Sequence, residues 1–293
     1  MIHKAGFVNI IGRPNVGKST LMNHLVGERL SIITPKAQTT RHRILGIVNT
    51  DTAQVVYSDT PGILEPKYAL QANMMTYVKE ALSDADIVIL LIDAAENDTE
   101  FHGFEEALKG LDVPCILALN KIDLMDQRSL EDRVEELHGL FPKAEIIPLS
   151  AKENFGLEPL KNRIIELLPE CPPYYPKDEL TDRPIRFFVS EIIRERILEN
   201  YQQEIPYAVE VSVESFKEEE NLIRISALIY VERKSQKGIL IGHKGQGLKK
   251  VGTEARIRIE QFLDKKVFLE LHVKVDEDWR RKTAKLKAFG YKN

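Results

Sequence analysis

Between the apolar run AGFVNII, residues 5–11, and the helical run LMNHLVG, residues 21–27, stands GRPNVGKST, residues 12–20. No other stretch limits the fold as much. Gly12 and Gly17 bracket four residues and are followed by Lys18 and Ser19, with a strand before and a helix after. That order lets backbone N–H groups face an anion at a helix N-terminus, where the helix dipole also favours negative charge. Lys18 then reaches the terminal phosphates of a nucleotide and Ser19 can ligate Mg²⁺. Gly12, Arg13, Pro14, Asn15, Val16, Gly17, Lys18, Ser19 and Thr20 are therefore assigned to nucleotide contact. A glycine turn that binds nothing is the alternative, and the two flanks argue against it.

From residue 6 to about 170, apolar β-rich runs alternate with amphipathic runs. The predicted strands are GFVNIIG, ILGIVNT, AQVVYSD, ADIVILLID, VPCILALN and AEIIPLS; the predicted helices cover 18–26, 70–83, 102–110, 129–139 and 157–168. The strands lack polar alternation, as strands buried on both faces should. The expected fold is an α/β domain with a mostly parallel sheet and helices on both faces. PECPPYYPKDELTDRP then places five prolines in 16 residues, an extended, semi-rigid connector. The expected organisation is a nucleotide-binding domain over 1–170, a connector over 171–182 and a second module over 183–293.

Three further segments fall at predicted strand ends, where ligands bind in open α/β sheets. In NKID, residues 120–123, Asp123 can accept two hydrogen bonds from guanine N1–H and N2–H₂, which adenine cannot supply, while the alkyl stem of Lys121 covers the base. In SAK, Ser150 to Lys152, the Ala151 N–H can serve guanine O6. In DTPG, Asp59 can hold Mg²⁺ through water and the Gly62 N–H can sense the γ-phosphate. With Asn120, Lys152 and the switch residue Thr40, these complete the guanine nucleotide and metal set, the metal falling to Ser19, Thr40 and Asp59. The domain resembles the translation-factor class of GTPases, which implies GTP and GDP as ligands and GTP hydrolysis as the reaction.

Ile63 follows Gly62, where Ras-like proteins place a water-orienting glutamine, and an aliphatic chain cannot orient water. Arg41 and Arg43, beside Thr40, read either as an internal arginine finger or as polar loop cover. Asn15 has two readings also. The resemblance implies that an asparagine here holds K⁺ beside the β- and γ-phosphates; otherwise it braces the loop. Asn15, Lys18, Thr40 and Gly62 form the expected catalytic set.

The two parts of the chain differ in charge. Residues 1–180 hold 18 Lys and Arg against 27 Asp and Glu, net −9; the remaining 23 against 18 give residues 181–293 a net +5. A polyanion partner would meet the second part. Its pattern predicts helix, strand, strand, helix, helix, strand, helix. Gly242-His243-Lys244-Gly245 lies between the two central helical runs, a turn with room for a sugar-phosphate backbone. Ile239 and Ile241 are candidates for the floor of a base-binding groove, and Lys234, Lys237, Lys249 and Lys250 for RNA contact. A helix-turn-helix with incidental glycines is the competing reading. In this element order the segment looks like a type II KH domain.

GRPNVGKST, KAQTTRHRI, SDTPG and LIGHKG together resemble the Era family of bacterial ribosome-assembly GTPases over the whole chain. The resemblance implies binding to the single-stranded 3′ end of small-subunit ribosomal RNA and to the small ribosomal subunit. It also implies a cytoplasmic protein, peripheral at the membrane at most; a monomer is expected. His243 stands where many members have asparagine, and Gly247 is expected to loosen the start of the following helix.

Other features have plain readings. No apolar run approaches the roughly 20 residues of a membrane span, and no room for a signal peptide precedes the first strand. Cys115 and Cys171 have no metal-ligand spacing and are read as reduced, Cys115 as buried filler. Trp279 is a packing anchor, and Glu218 to Glu220 a solvated hairpin turn. RRKTAKLKAFGYK could touch RNA or membrane, or be a solvated helix face.

Overall fold

The computed structural model describes residues 3–96 and 104–292. The chain forms two compact units: Met1–Lys67 with Met74–Asp182, and Tyr68–Asn73 with Arg183–Asn293.

The first unit is built on a six-stranded sheet in the order β2-β3-β1-β4-β5-β6. Its strands are β1 (Lys4–Gly12), β2 (Ile44–Asn49), β3 (Ala53–Asp59), β4 (Ile87–Asp93), β5 (Cys115–Asn120) and β6 (Glu145–Pro148). All pairings are parallel except β2 with β3, a hairpin at the edge. β3 and β4 are buried at every position, which is why their sequences show apolar runs instead of alternation. β1 is central, pairing with β3 on one side and β4 on the other, so the chain reverses its direction of travel across the sheet there. That is the switch point at which open α/β sheets bind ligands. The helices are α1 (Lys18–Val26), α2 (Ala69–Ser83), α3 (Glu105–Lys109), α4 (Gln127–Leu140) and α5 (Leu157–Leu167). The predicted helix over 102–110 lies in part outside the described residues. Cys115 opens β5 and is half-buried there, not the buried filler expected, because a strand's first residue sits at the rim of the core.

The proline-rich connector is held to the first unit. Gln54 of β3, fully buried, accepts at Oε1 from Tyr174 N (2.7 Å) and Tyr175 N (3.0 Å), and donates from Nε2 to Tyr175 O (2.8 Å). Tyr175 packs on Leu45, Ile47 and Val56, and Ile47 N donates to Leu180 O at 2.8 Å. Proline supplies the extended backbone; one buried carboxamide fixes where it lies.

The second unit comprises α6 (Ile185–Asn200), the short α7 (Ile205–Ala208), β7 (Glu210–Glu218), β8 (Ile223–Val231), α8 (Lys234–Ile241), α9 (Gln246–Leu263), β9 (Val267–Val275) and α10 (Thr283–Ala288). β7 and β8 are antiparallel with a bulge between Val213 and Ser215; β8 and β9 are parallel, joined by the α8–α9 crossover. Val251, Ala255 and Ile259 recur at helical spacing along α9 and, with Val189, Ile193 and Ile197 of α6, are fully buried in one core.

Trp279 is that packing anchor. Fully buried, it donates from Nε1 to Ala208 O at 3.0 Å and meets Phe289 edge-on at 5.5 Å. In the terminal basic run Leu286 is buried, and Lys282 and Lys285 pair with Asp276 at 3.3 and 2.6 Å. The apolar side of α10 is thereby used in packing. Among the described residues, no helix is long and apolar enough to cross a membrane.

Candidate functional site: a nucleotide pocket and an α9–β9 groove

The carboxyl ends of β1, β3, β4 and β5 converge, because their registers align Ile10 with Asp59, Gly12 with Leu91 and Asp93 with Asn120. They open on a pocket of about 670 Å³ lined by Pro14, Asn15, Gly17, Lys18, Ser19, Thr20, Thr40, Gly62, Asn120, Lys121, Asp123, Ala151 and Lys152. Most predicted nucleotide residues are therefore brought together at one place. Gly12, Arg13, Val16, Asp59 and Ser150 do not line it.

Steric fit and hydrogen bonds fix the shape of the loop. Gly17 caps α1 at φ +103°, and a Cβ there would stand 2.3 Å from Asn120 Nδ2, so only glycine fits. Asn120 is 2 % exposed; its Nδ2 donates to Val16 O (2.8 Å) and its Oδ1 accepts from Ala151 N (2.9 Å). One side chain thus ties the phosphate loop, NKID and SAK together. Lys121, itself left-handed at φ +65°, donates from Nζ to Asp93 Oδ2 at 2.5 Å. Asp93 was not predicted as a site residue; it ends β4 as Asp59 ends β3, and that position was the available signal. Lys18 donates to Gly12 O (3.1 Å) and Arg13 O (2.7 Å), and burial pulls its pKa down to about 8, partly countered by the charge of Asp59.

The metal assignment fits the local chemistry. Ser19 Oγ donates to Asp59 Oδ2 at 2.7 Å, and Thr40 Oγ1 lies 2.9 Å from Ser19 Oγ and 3.3 Å from Asp59 Oδ2. Asp59 Oδ1 is buried with no hydrogen-bond partner among the described residues, and burial raises the carboxyl's pKa. Two hydroxyls and a carboxylate, all oxygen, suit a hard divalent cation that keeps water and phosphate in its shell.

The residues before Thr40 form a wall that sequence reading did not assign: Ile32, Ile33, Thr34, Pro35, Lys36, Gln38 and Thr39, with Leu124 opposite. Thr34 and Thr39 join through their hydroxyls at 2.7 Å, and Gln38 takes φ +58°. Ile63 is fully buried and its N–H donates to Gly12 O, so it faces away from any attacking water. Neither arginine next to Thr40 lines the pocket. Arg41 is 1 % exposed, and Arg43 turns to Ser58, Asn9 and Asp84, so the arginine-finger reading gives way.

In the second unit the turn 242–245 takes φ +71° at Gly242, +49° at Lys244 and +79° at Gly245, leaving His243 and Lys244 exposed. A groove of about 390 Å³ beside it is lined by Gly245, Leu248, Lys249, Gly252, Thr253, Arg256, Leu269 and Leu271. Its apolar floor is leucine from α9 and β9. Ile239 and Ile241, expected as the floor, do not line it: Ile239 points outward, 50 % exposed, and Ile241 packs on the core. Lys234, Lys237 and Lys250 lie outside the lining too. Gly247 does not loosen α9. A Cβ there would meet Tyr201 Oη at 2.7 Å and Leu240 O at 2.9 Å, so it permits the close crossing of α8 and α9.

Comparison with known proteins agrees with both halves. The 50S ribosome-binding GTPase family matches residues 7–121 and the KH domain family residues 204–280. GTPase Era from Geobacter sp. (strain M21) is 47 % identical over 290 residues, 98 % of each chain, and that from Geotalea uraniireducens (strain Rf4) is 46 % identical over the same shares. A crystal structure of Era in complex with MgGDPNP and nucleotides 1506–1542 of 16S ribosomal RNA superposes with TM-score 0.95 at 40 % identity, covering 99 % of this chain and 100 % of that one. A tyrosine-to-alanine variant of Aquifex aeolicus Era bound to GDP·AlF₄⁻ gives the same values. The strand-end pocket, the α8–turn–α9 crossover and this identity along the whole length lead to one conclusion: the chain belongs to the GTPase Era family.

Proposed function

We propose that this chain is a GTP-driven switch that grips the single-stranded 3′ end of small-subunit ribosomal RNA and takes part in assembly of the small subunit. Residues 1–170 are the nucleotide domain, 171–182 the connector and 183–293 the RNA module. The observation that carries the reading is the presence of both sites in one chain whose relative, matched end to end, was crystallised with a GTP analogue and that RNA end.

Asp123 accepts the guanine donors and Lys121 covers the base; Ala151 N–H would serve O6 by giving up or sharing its bond to Asn120 Oδ1. Lys18 gives up its two carbonyl partners for the β- and γ-phosphates, whose charge restores an ammonium that burial disfavours. Ser19, Thr40 and Asp59 are the residues that would hold Mg²⁺. Mg²⁺, when bound, supplies positive charge at the β- and γ-phosphates. Buried Ile63 leaves position 63 without a group to orient water, and Asn15, exposed in the pocket wall at φ +65°, is read as the residue that would hold K⁺. Hydrolysis is then faster in K⁺ than in Na⁺, and Asn15→Ala abolishes the difference; equal rates in both salts would return Asn15 to bracing the loop.

In the α9–β9 groove, unstacked bases lie on Leu248, Leu269 and Leu271, and the turn 242–245 holds the phosphates. The test is to titrate an oligonucleotide matching the 3′ end of small-subunit ribosomal RNA with a GTP analogue bound and then with GDP. A switch requires tighter RNA binding in one state, because a ligand without differential affinity shifts nothing. Equal affinities would leave an RNA-binding GTPase and remove the switch.

A further inference from the structure

Arg43 has no place in the pocket, yet few side chains of the first unit are as fully engaged. Its Nε donates to Ser58 Oγ at 2.7 Å. Its Nη1 and Nη2 form a fork with Asp84, at 2.5 and 2.9 Å, and Nη2 also donates to Asn9 Oδ1 at 3.0 Å. Asn9, fully buried on β1, passes its Nδ2 to Ala81 O (2.5 Å) and Asp84 Oδ1 (2.8 Å). One guanidinium therefore joins the entry to β2, the end of β3 next to Asp59, central β1 and the far end of α2.

We propose that Arg43 is a positioning residue for GTP: through Asp84, Asn9 and Ser58 it fixes the chain three residues past Thr40, so that Thr40 arrives beside Ser19 and Asp59. The intervening stretch is short and packed. Arg41 and His42 are buried, and the His42 ring stands 6.1 Å from that of Tyr77 on α2. Three residues reach about 10 Å at most, so a root fixed at Arg43 sharply limits where Thr40 can go. The wall before Thr40, residues 33–39, is half-buried or exposed, and within it Thr39 Oγ1 bonds Thr34 Oγ1 and Lys36 O. Motion on nucleotide exchange thus belongs upstream of Thr40, and the fixed post downstream. The Asp84 side chain is 47 % exposed, which limits the pair's value as cement for the fold. What the fork supplies is geometry, and a lysine cannot copy a two-toothed bond.

The inference rests on the reading of Thr40 as a GTP-state metal ligand, and the experiment separates the two. In the full chain, affinities for a non-hydrolysable GTP analogue and for GDP are measured against Mg²⁺ concentration, with the apo melting temperature alongside. The variants are Arg43→Ala, Arg43→Lys, Asp84→Asn and Thr40→Ala. Arg43→Ala should weaken the GTP analogue about tenfold and raise its Mg²⁺ requirement, the size of effect seen when groups holding a metal ligand are lost, while GDP changes about twofold or less. Arg43→Lys should not restore the ratio, and Asp84→Asn should move it in the same direction. Lost stability alone would weaken both nucleotides together. If Arg43→Ala does not fold, Asp84→Asn decides, since its position is half exposed. A GTP-to-GDP ratio that shifts in Thr40→Ala but in neither Arg43→Ala nor Asp84→Asn overturns the inference alone. A ratio unmoved in Thr40→Ala overturns the reading of Thr40, and the inference with it.

Discussion

The nucleotide pocket and the α9–β9 groove solve recognition in opposite ways. In the pocket, polar side chains already have partners: Asn120 bonds the backbone of Val16 and Ala151, Lys121 bonds Asp93, and Ser19 bonds Asp59. At the groove, Lys249 in the lining and His243 and Lys244 of the adjoining turn are exposed, and the floor is aliphatic. A small ligand with a fixed set of donors is read by preorganised groups, so little ordering entropy is lost on binding. A flexible strand is gripped by exposed charge along its phosphates and read above an apolar surface. Damage to the first should appear as altered chemical selectivity, and damage to the second as altered affinity and salt dependence.

The largest effect falls on the base. Asp123→Asn replaces an acceptor with a donor facing guanine N1–H and should cost about 3 kcal/mol of GTP affinity, over a hundredfold, while favouring xanthosine triphosphate. Competition between the two nucleotides measures it; an unchanged preference would undo the guanine assignment.

On the groove, replacing His243 and Lys244 together by aspartate should weaken the RNA oligonucleotide by roughly 1–3 kcal/mol and flatten its salt dependence. GTP hydrolysis without RNA should be unaffected. Leu271→Ala tests the floor instead. It should weaken binding by about 1 kcal/mol, within the range for lost base contacts, and leave the salt slope as it was. A slope that fell in Leu271→Ala as well would mean that floor and rail are not separate.

The same contrast explains what the sequence revealed. A phosphate cradle needs consecutive backbone N–H groups, so its residues must be contiguous, and Gly12 to Thr20 is readable as a string. Asp123 and Ala151 are readable because each sits at the end of an apolar strand. Ile239 and Ile241 are expected in the floor because apolar residues on a short helix next to the turn look suitable, yet neither lines the α9–β9 groove. Leu269 and Leu271 belong to a strand more than 20 residues further on, and alternation in β9 shows two faces without saying which one meets α9. The wall at residues 32–39 has no periodicity to read, and Arg43 could not be placed from sequence because Asn9, Ser58 and Asp84, to which it donates, come from β1, β3 and the end of α2.

Asp93 was overlooked for a related reason, and it yields the smallest effect. Its Oδ2 accepts from Lys121 Nζ and its Oδ1 from Ala95 N at 3.1 Å, so it anchors the lysine proposed to cover the base. Asp93→Asn preserves shape and can keep the Ala95 bond, but removes the charge that holds the ammonium. Lys121 retains 32 % side-chain exposure, so water replaces part of what is lost and the cost should be about 1 kcal/mol, near fivefold. The base is the same in both nucleotides, so GTP and GDP should weaken by one factor and their ratio should hold. That separates Asp93 from Arg43, for which the ratio itself should move. Measuring both affinities in Asp93→Asn decides: loss confined to GTP would place Asp93 with the γ-phosphate machinery, and no loss would leave the Lys121 pair as surface decoration.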